Sequence, residues 1–186
     1  MTEQPALGTA RLHLRPFMPE DAPRVRTLAG AREIADTTLN VPHPYEDGMA
    51  EAWIATHAPG WALGRLATFA IIEADAGLIG AIGLTVEPAH RRAEIGYWIG
   101  RPHWNRGYAT EAARAVVAFG FEAFDLHRIQ GRHLTRNPAS GRVLVKAGLT
   151  YEGTLRGHLI KWGVPEDVAI YAVLRPHAVP ESGAGA

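Results

Sequence analysis

AEIGYWIGRPHWNRGYATEAARAVVAFGFEAF, residues 93–124, passes from an alternating strand through a polar, aromatic turn into a long apolar-periodic helix. The strand reads from Ala93, Ile95, Tyr97 and Ile99 on one face and Glu94, Gly96 and Trp98 on the other. The helix reads from Ala109, Ala112, Ala113, Val116, Val117, Gly120 and Phe124, the i, i+3, i+4 stripe of a core-facing element. Between them, Arg106-Gly107-Tyr108-Ala109 opens the helix without the Ser, Thr, Asp or Asn that ordinarily satisfies its first free N–H groups. Those groups and the helix dipole converge on a spot left to water or to an anion. Gly107 lets a ligand reach the backbone with no side chain in the way; the plainer reading is that it permits a tight turn. Neither G-x-x-x-x-G-K-[ST] nor G-x-G-x-x-G occurs, so a phosphate fits here but a P-loop or Rossmann site does not.

Working outward, residues 9–17 alternate and predict a strand, and 19–35 predict a helix entered through Asp21 and Pro23. Residues 45–56 predict a second helix. Residues 66–88 predict two strands joined by the turn Asp75-Ala76-Gly77. Downstream, 127–135 read as a strand, 138–147 as a short helix closed by Gly148, and 148–174 as a final hairpin. The order βαα-βββ-α-β-α-ββ fits a mostly antiparallel sheet with one parallel crossover, an α+β or mixed α/β fold. The first eight residues and the last ten (177–186), rich in Pro, Gly and Ala, read as flexible ends, leaving 9–176 as a single domain.

The 186 residues carry 19 Lys+Arg against 19 Asp+Glu, a formal net charge of zero. That argues against a nucleic-acid partner or an anionic membrane surface, both of which call for a basic face. With no Cys there is neither a disulfide framework nor a catalytic thiolate. The N-terminus has no basic-then-apolar signal region, and no apolar run approaches the ~20 residues of a membrane helix, so a cytoplasmic protein is expected. His127 and His133 have no third ligand spaced for zinc, so no metal is expected.

The stretches AEIGYWIGRPHWNRGYATEA (93–112) and NPASGRVLVKAGLTYEG (137–153) together resemble the GNAT superfamily of N-acetyltransferases. Within it, they resemble the bacterial RimJ/RimL-like branch of ribosomal-protein N-terminal acetyltransferases and their relatives. The resemblance runs from the strand at Thr9 to Leu174. It implies a splayed, mostly antiparallel sheet of six to seven strands flanked by about four helices. It also implies acetyl-coenzyme A as co-substrate and an amine acceptor, on a peptide N-terminus or a small molecule, with a homodimer as an open state.

Carried over residue by residue, the resemblance puts the coenzyme pyrophosphate on the backbone of Asn105, Arg106, Gly107, Tyr108, Ala109 and Thr110, with Asn137 also in the coenzyme site. The pantetheine arm would lie along the main chain of Trp98 and Ile99. Glu94, on the Trp98 face, is the candidate general base, its alternative being a solvated face or a partner for Arg91 or Arg92. Ser140 is the candidate acid beside the leaving thiol, its alternative being to cap the helix with Asn137. The superfamily's usual Tyr position in that helix holds Leu144, and a branch glutamate in the hairpin falls on Leu159. Arg91, Arg92, Arg101 and Arg106 are open to a 3′-phosphate role or to plain solvation. His90 and His103 flank the site, and Tyr45, Trp53 and Trp61 would line its acceptor side. The leading expectation is direct acetyl transfer from acetyl-coenzyme A to a primary amine. A non-catalytic coenzyme A-binding module is the alternative, because one acid and one base of the relatives are missing.

Overall fold

The computed structural model describes residues 3–175; the tail expected to be loose at 177–186 lies outside them. Its strands are β1 (Leu7–Gly8), β2 (Leu12–Arg15), β3 (Leu66–Glu73), β4 (Gly77–Glu87), β5 (Arg92–Ile99), β6 (Arg128–Leu134), β7 (Thr150–Lys161) and β8 (Val164–Leu174). Its α-helices are α1 (Ala22–Ala29), α2 (Arg32–Thr37), α3 (Met49–Ala55), α4 (His57–Ala62), α5 (Tyr108–Ala123) and α6 (Pro138–Lys146). One sheet runs β1-β2-β3-β4-β5-β6-β8-β7, antiparallel throughout except for β5 and β6. This is the mixed α/β class that the sequence predicts, with one strand and two helices more than expected.

The extra elements have local causes. Residues 19–35 are not one helix: Ala31 is extended (φ −60, ψ 131) and divides α1 from α2. The expected helix at 45–56 begins only at Met49, after Gly48 turns at φ +83. The first eight residues are not wholly loose. Leu7 and Gly8 pair with Leu14 and His13, and the buried Gln4 amide donates to the Thr68 carbonyl at 2.9 Å. A backbone pair and a satisfied buried amide outweigh a loop-like composition. Asp21 does cap the entry to α1 by position, but its carboxylate instead receives the Arg15 guanidinium at 2.7 and 2.8 Å and the Met18 N–H at 2.9 Å. Burial opposes its ionisation, and these bonds overcome that and hold the carboxyl below its usual range.

Two cores lie on opposite faces of the sheet, and β5 feeds both. Ile95 and Ile99 pack with Ala112, Ala113 and Val116 of α5. Trp98 packs with Val25, Leu28 and Ile54 of the early helices. The alternation of residues along β5 therefore sorts its side chains between the α5–α6 side and the α1–α3 side.

The sheet is split at the parallel seam between β5 and β6. β5 is paired to β4 along its whole length, from Arg92 to Ile99. It meets β6 through only four pairs, Arg92↔Arg128 to Ile95↔Gly131. Beyond Ile95, β6 stays with β8 as far as Leu134, and the outer edge of β5 from Gly96 to Ile99 has no strand partner. The strands part there, and the gap between them is the candidate site.

One buried group makes stability depend on pH. His57 is 6 % exposed between Phe17 and Trp53, ring centroids 5.3 and 4.5 Å away, and neither ring nitrogen has a hydrogen-bond partner among the described residues. Burial pushes the imidazole down from 6.5 to about 4. Between these values the unfolded chain binds a proton at this site and the folded chain does not. Stability is therefore full above 6.5 and falls as the pH drops towards 4, by about 3 kcal/mol in all. His57→Phe is expected to remove this slope. Chemical denaturation of both proteins across that window checks it, and parallel curves would count against it.

Candidate active site

The gap opens into a cavity of about 900 Å³. On one side stand the N-terminus of α5 and the face of α6; on the other stand α1 to α3 and residues 37–42.

Gly107 begins α5 at φ +81, a left-handed conformation that favours glycine, and no side chain caps the helix. The turn is braced from behind. Glu111 accepts from the Thr9 hydroxyl at 2.7 Å, the Arg11 N–H at 2.8 Å and the Arg11 Nε at 2.7 Å. Arg11 also donates to the Arg106 carbonyl at 3.0 Å and covers the Tyr108 ring at 4.7 Å. Burial disfavours the Glu111 carboxylate, but the Thr9 and Arg11 bonds hold it below its usual range. The one acid of the first turn thus fixes the β1–β2 turn to α5, and the leading N–H groups keep no side-chain partner. Asn105, Gly107, Tyr108, Ala109 and Thr110 line the cavity; Arg106 is exposed and does not.

The expected arginine cluster is dispersed. Arg91, Arg92 and Arg101 pair with Asp125, Glu87 and Glu33 away from the cavity. The cations that line it on the α6 side are instead Arg142 and Lys146, one helical turn apart. Their i, i+4 spacing after the N-x-x-S stretch is the signal that would have found them.

Along the open edge of β5, the Ile99 carbonyl accepts from the Trp104 indole N–H at 2.5 Å, and Trp98 is buried against the opposite core. On the α6 face, the Tyr97 hydroxyl lies 2.8 Å from Ser140 Oγ and donates to the Ser140 carbonyl at 3.0 Å. Burial drives the Tyr97 phenol far above its ordinary range, although the Ser140 contact works the other way, so it stays protonated. Asn137 Oδ1 accepts from the Ser140 N–H at 3.4 Å, and Asn137 Nδ2 donates to the Thr37 carbonyl at 3.1 Å. The cap is therefore Asn137, and the Ser140 hydroxyl is left for Tyr97. Leu144, at the usual tyrosine position, is buried in the core, and Leu159 does not line the cavity.

On the other face, Glu94 Oε1 receives Arg132 Nε at 3.0 Å and Nη2 at 2.8 Å, and Oε2 receives Gln130 Nε2 at 3.2 Å. Its partner is thus a β6 arginine and neither Arg91 nor Arg92. Tyr45 and Trp53 line this half as expected. Trp61 does not: it is buried in the core against Phe119 and Phe124, at 6.3 and 5.7 Å. His103 lines the cavity, while His90 stands 3.5 Å from Glu87 outside it. His133 is buried with Nδ1 donating to the Leu134 carbonyl at 2.7 Å. Among the described residues no group of three His, Cys, Asp or Glu could hold a metal. No described helix is long and apolar enough to cross a membrane.

Three side chains bridge the mouth of the gap. Arg136, Asn137 and Lys161 donate to the successive carbonyls of Asp36, Thr37 and Thr38 at the end of α2, at 2.8, 3.1 and 2.7 Å. They satisfy a helix C-terminus and fasten the α1–α3 side to the β6–β8 side.

Comparison with known proteins then fixes the family. The model of the acetyltransferase (GNAT) domain matches residues 11–150. The chain belongs to the GNAT family. GNAT proteins are acyltransferases whose donor is acetyl-coenzyme A. The chain is 35% identical over 174 residues to the uncharacterized N-acetyltransferase YoaA of Bacillus subtilis (strain 168), covering 92% of this chain and 98% of that one. It is 31% identical over 105 residues to the ribosomal-protein-serine acetyltransferase of Escherichia coli (strain K12), covering 56% and 58%. In fold, this GNAT chain matches Mycobacterium smegmatis RimJ in complex with CoA-disulfide, with a TM-score of 0.81, 24% identity, and 92% and 88% of the two chains covered. The ribosomal-protein-serine acetyltransferase and RimJ among these relatives support the RimJ/RimL-like branch.

Proposed function

We propose that this GNAT chain moves the acetyl group of acetyl-coenzyme A directly onto a primary amine, on a peptide N-terminus or a small molecule. The observation that carries the proposal is the division of labour along β5. Glu94 faces one side of the parted strands, and Tyr97, bonded to Ser140, faces the other. An acyl transfer between two such faces needs a base on the acceptor side and a proton source on the thiol side. Glu94 takes the proton of the incoming amine. As the new C–N bond forms and the C–S bond breaks, the Ser140 hydroxyl, held in place by Tyr97, donates a hydrogen bond to the departing thiolate, which takes its proton from solvent as Glu94 gives up the one it took from the amine. With no Cys in the chain, no thiol of the protein carries the acetyl group between the two.

At the donor end, the uncapped N–H groups of α5 hold the pyrophosphate of the coenzyme. Arg142 and Lys146 supply positive charge on the same side. The cavity fits such a substrate: Gly107 and the start of α5 line it, and no side chain caps the helix there. The peptide form of the acceptor draws its support from the E. coli relative, whose name specifies a ribosomal protein.

A thiol-release screen with acetyl-coenzyme A over peptide N-termini, amino acids, polyamines and aminoglycosides tests the proposal. Turnover with none of them, together with a coenzyme-induced rise in melting temperature, would support the binding-module alternative instead. Gly107→Val is expected to weaken coenzyme A binding by about tenfold or more, since a β-branched residue at φ +81 costs about 1–3 kcal/mol and would distort the turn that presents the N–H groups. Titration calorimetry on the folded variant measures this, and unchanged affinity would remove the cradle.

A further inference from the structure

Gly96 lies in the interior of β5, on the face it shares with Glu94 and Trp98 and in register with Gly83 of β4. Glycine in a strand interior is costly, because it packs nothing and loses most freedom on folding. Two structural reasons ordinarily excuse it, and neither applies. Gly96 is not among the residues of positive φ, and a Cβ placed on it would meet nothing within 4 Å. It lines the cavity with open space above it. The protein itself leaves that space unfilled.

The wall facing this floor sets Leu39, Val41, Tyr45, Met49 and Trp53 beside the uncharged Thr37, Thr38 and Asn40. Charge is scarce. Glu94 is the only carboxylate among the residues lining the cavity, and its Oε1 already receives both Arg132 contacts. One ammonium group can approach Glu94. A second on the same molecule would meet either a largely apolar wall with no carboxylate to pair with it, or the Arg132 guanidinium, which repels it.

We infer that the acceptor half is a slot for a primary amine carrying a single positive charge on an apolar body, aromatic or branched aliphatic, that lies over Gly96. The body is either a free amine or the first residue of a peptide with an apolar side chain. The inference rests on the acetyltransferase reading for its chemistry, but the slot is testable by binding alone.

The experiment measures binding of 2-phenylethylamine, spermidine, and tripeptides beginning with Phe or with Lys to the coenzyme A-saturated protein, and then kcat/KM with acetyl-coenzyme A. Binding and kcat/KM for 2-phenylethylamine or the Phe peptide are expected to exceed those for spermidine and the Lys peptide by about tenfold or more, the scale set by a single hydrophobic contact in a pocket. Comparing the free amine with the Phe peptide identifies the source. Gly96→Val adds its side chain to the floor of the slot. It is expected to cut kcat/KM for the preferred amine at least about tenfold through KM, with coenzyme A affinity unchanged, and Gly96→Ala to fall between. Preference for spermidine, or a folded Gly96→Val protein with unaltered kcat/KM and amine binding, overturns the slot. Selective amine binding without any thiol release would leave the slot standing and sink the acetyltransferase reading instead.

Discussion

Glu94→Gln is expected to lower turnover roughly 10²–10⁴-fold at neutral pH, the usual contribution of a positioned general base. The substitution keeps the shape of the side chain and a hydrogen-bond acceptor for Arg132, so coenzyme affinity should hold while the chemical step slows. Its effect should shrink as the pH rises, because more of the amine then loses its proton to solvent. The Arg132 guanidinium holds the carboxylate in place, with Nη2 2.8 Å from Oε1. The measurement is a pair of kcat/KM profiles from neutral to alkaline pH. A loss well under about tenfold, with the profile unshifted, would give the proton to a water chain.

The second large effect is expected on the thiol side. Ser140→Ala should lower kcat and kcat/KM together by about 10²-fold or more, since the lost hydroxyl acts as the sulfur departs. Stability separates this outcome from a capping role. Asn137 makes the cap, so the Ala variant should keep most of the roughly 0.5–2 kcal/mol that loss of a capping side chain would remove. Tyr97→Phe should slow turnover as well, by removing the hydroxyl that holds Ser140 in place. Ser140→Thr is the control, retaining the hydroxyl while adding a methyl group. An Ala variant with parental kcat would leave Ser140 and Tyr97 as a packing contact between β5 and α6.

The strand, turn and helix of residues 93–124 were legible because each is specified by neighbours in the chain. Alternation along β5 assigned Glu94 and Tyr97 to opposite faces, and the missing cap at Gly107 marked the cradle. What crosses the chain was not legible. Glu94 meets Arg132 because β5 and β6 run parallel in a particular register, and no local pattern encodes that register. Thr9 and Arg11 reach Glu111 over about a hundred residues. Tyr97 meets Ser140 only because α6 packs on the face its alternation had chosen. Trp61 looked like a wall residue by its place among the early helices, yet its ring is large enough to be claimed by the core beside Phe119 and Phe124. Gly96 was placed on the right face, but its meaning depended on seeing that nothing stands above it.

The uncapped start of α5 has an evolutionary consequence. A cradle of main-chain N–H groups is inherited with the path of the backbone, so most side chains around it are free to drift. A fold shared at a TM-score of 0.81 with 24% identity to a relative shows how far such drift can run. The opposite wall has no such insurance, because it is written in side chains. On the proposed slot, divergence in a lineage of this kind would be lopsided: the donor site would persist, while one replacement over Gly96 would readdress the enzyme to another amine.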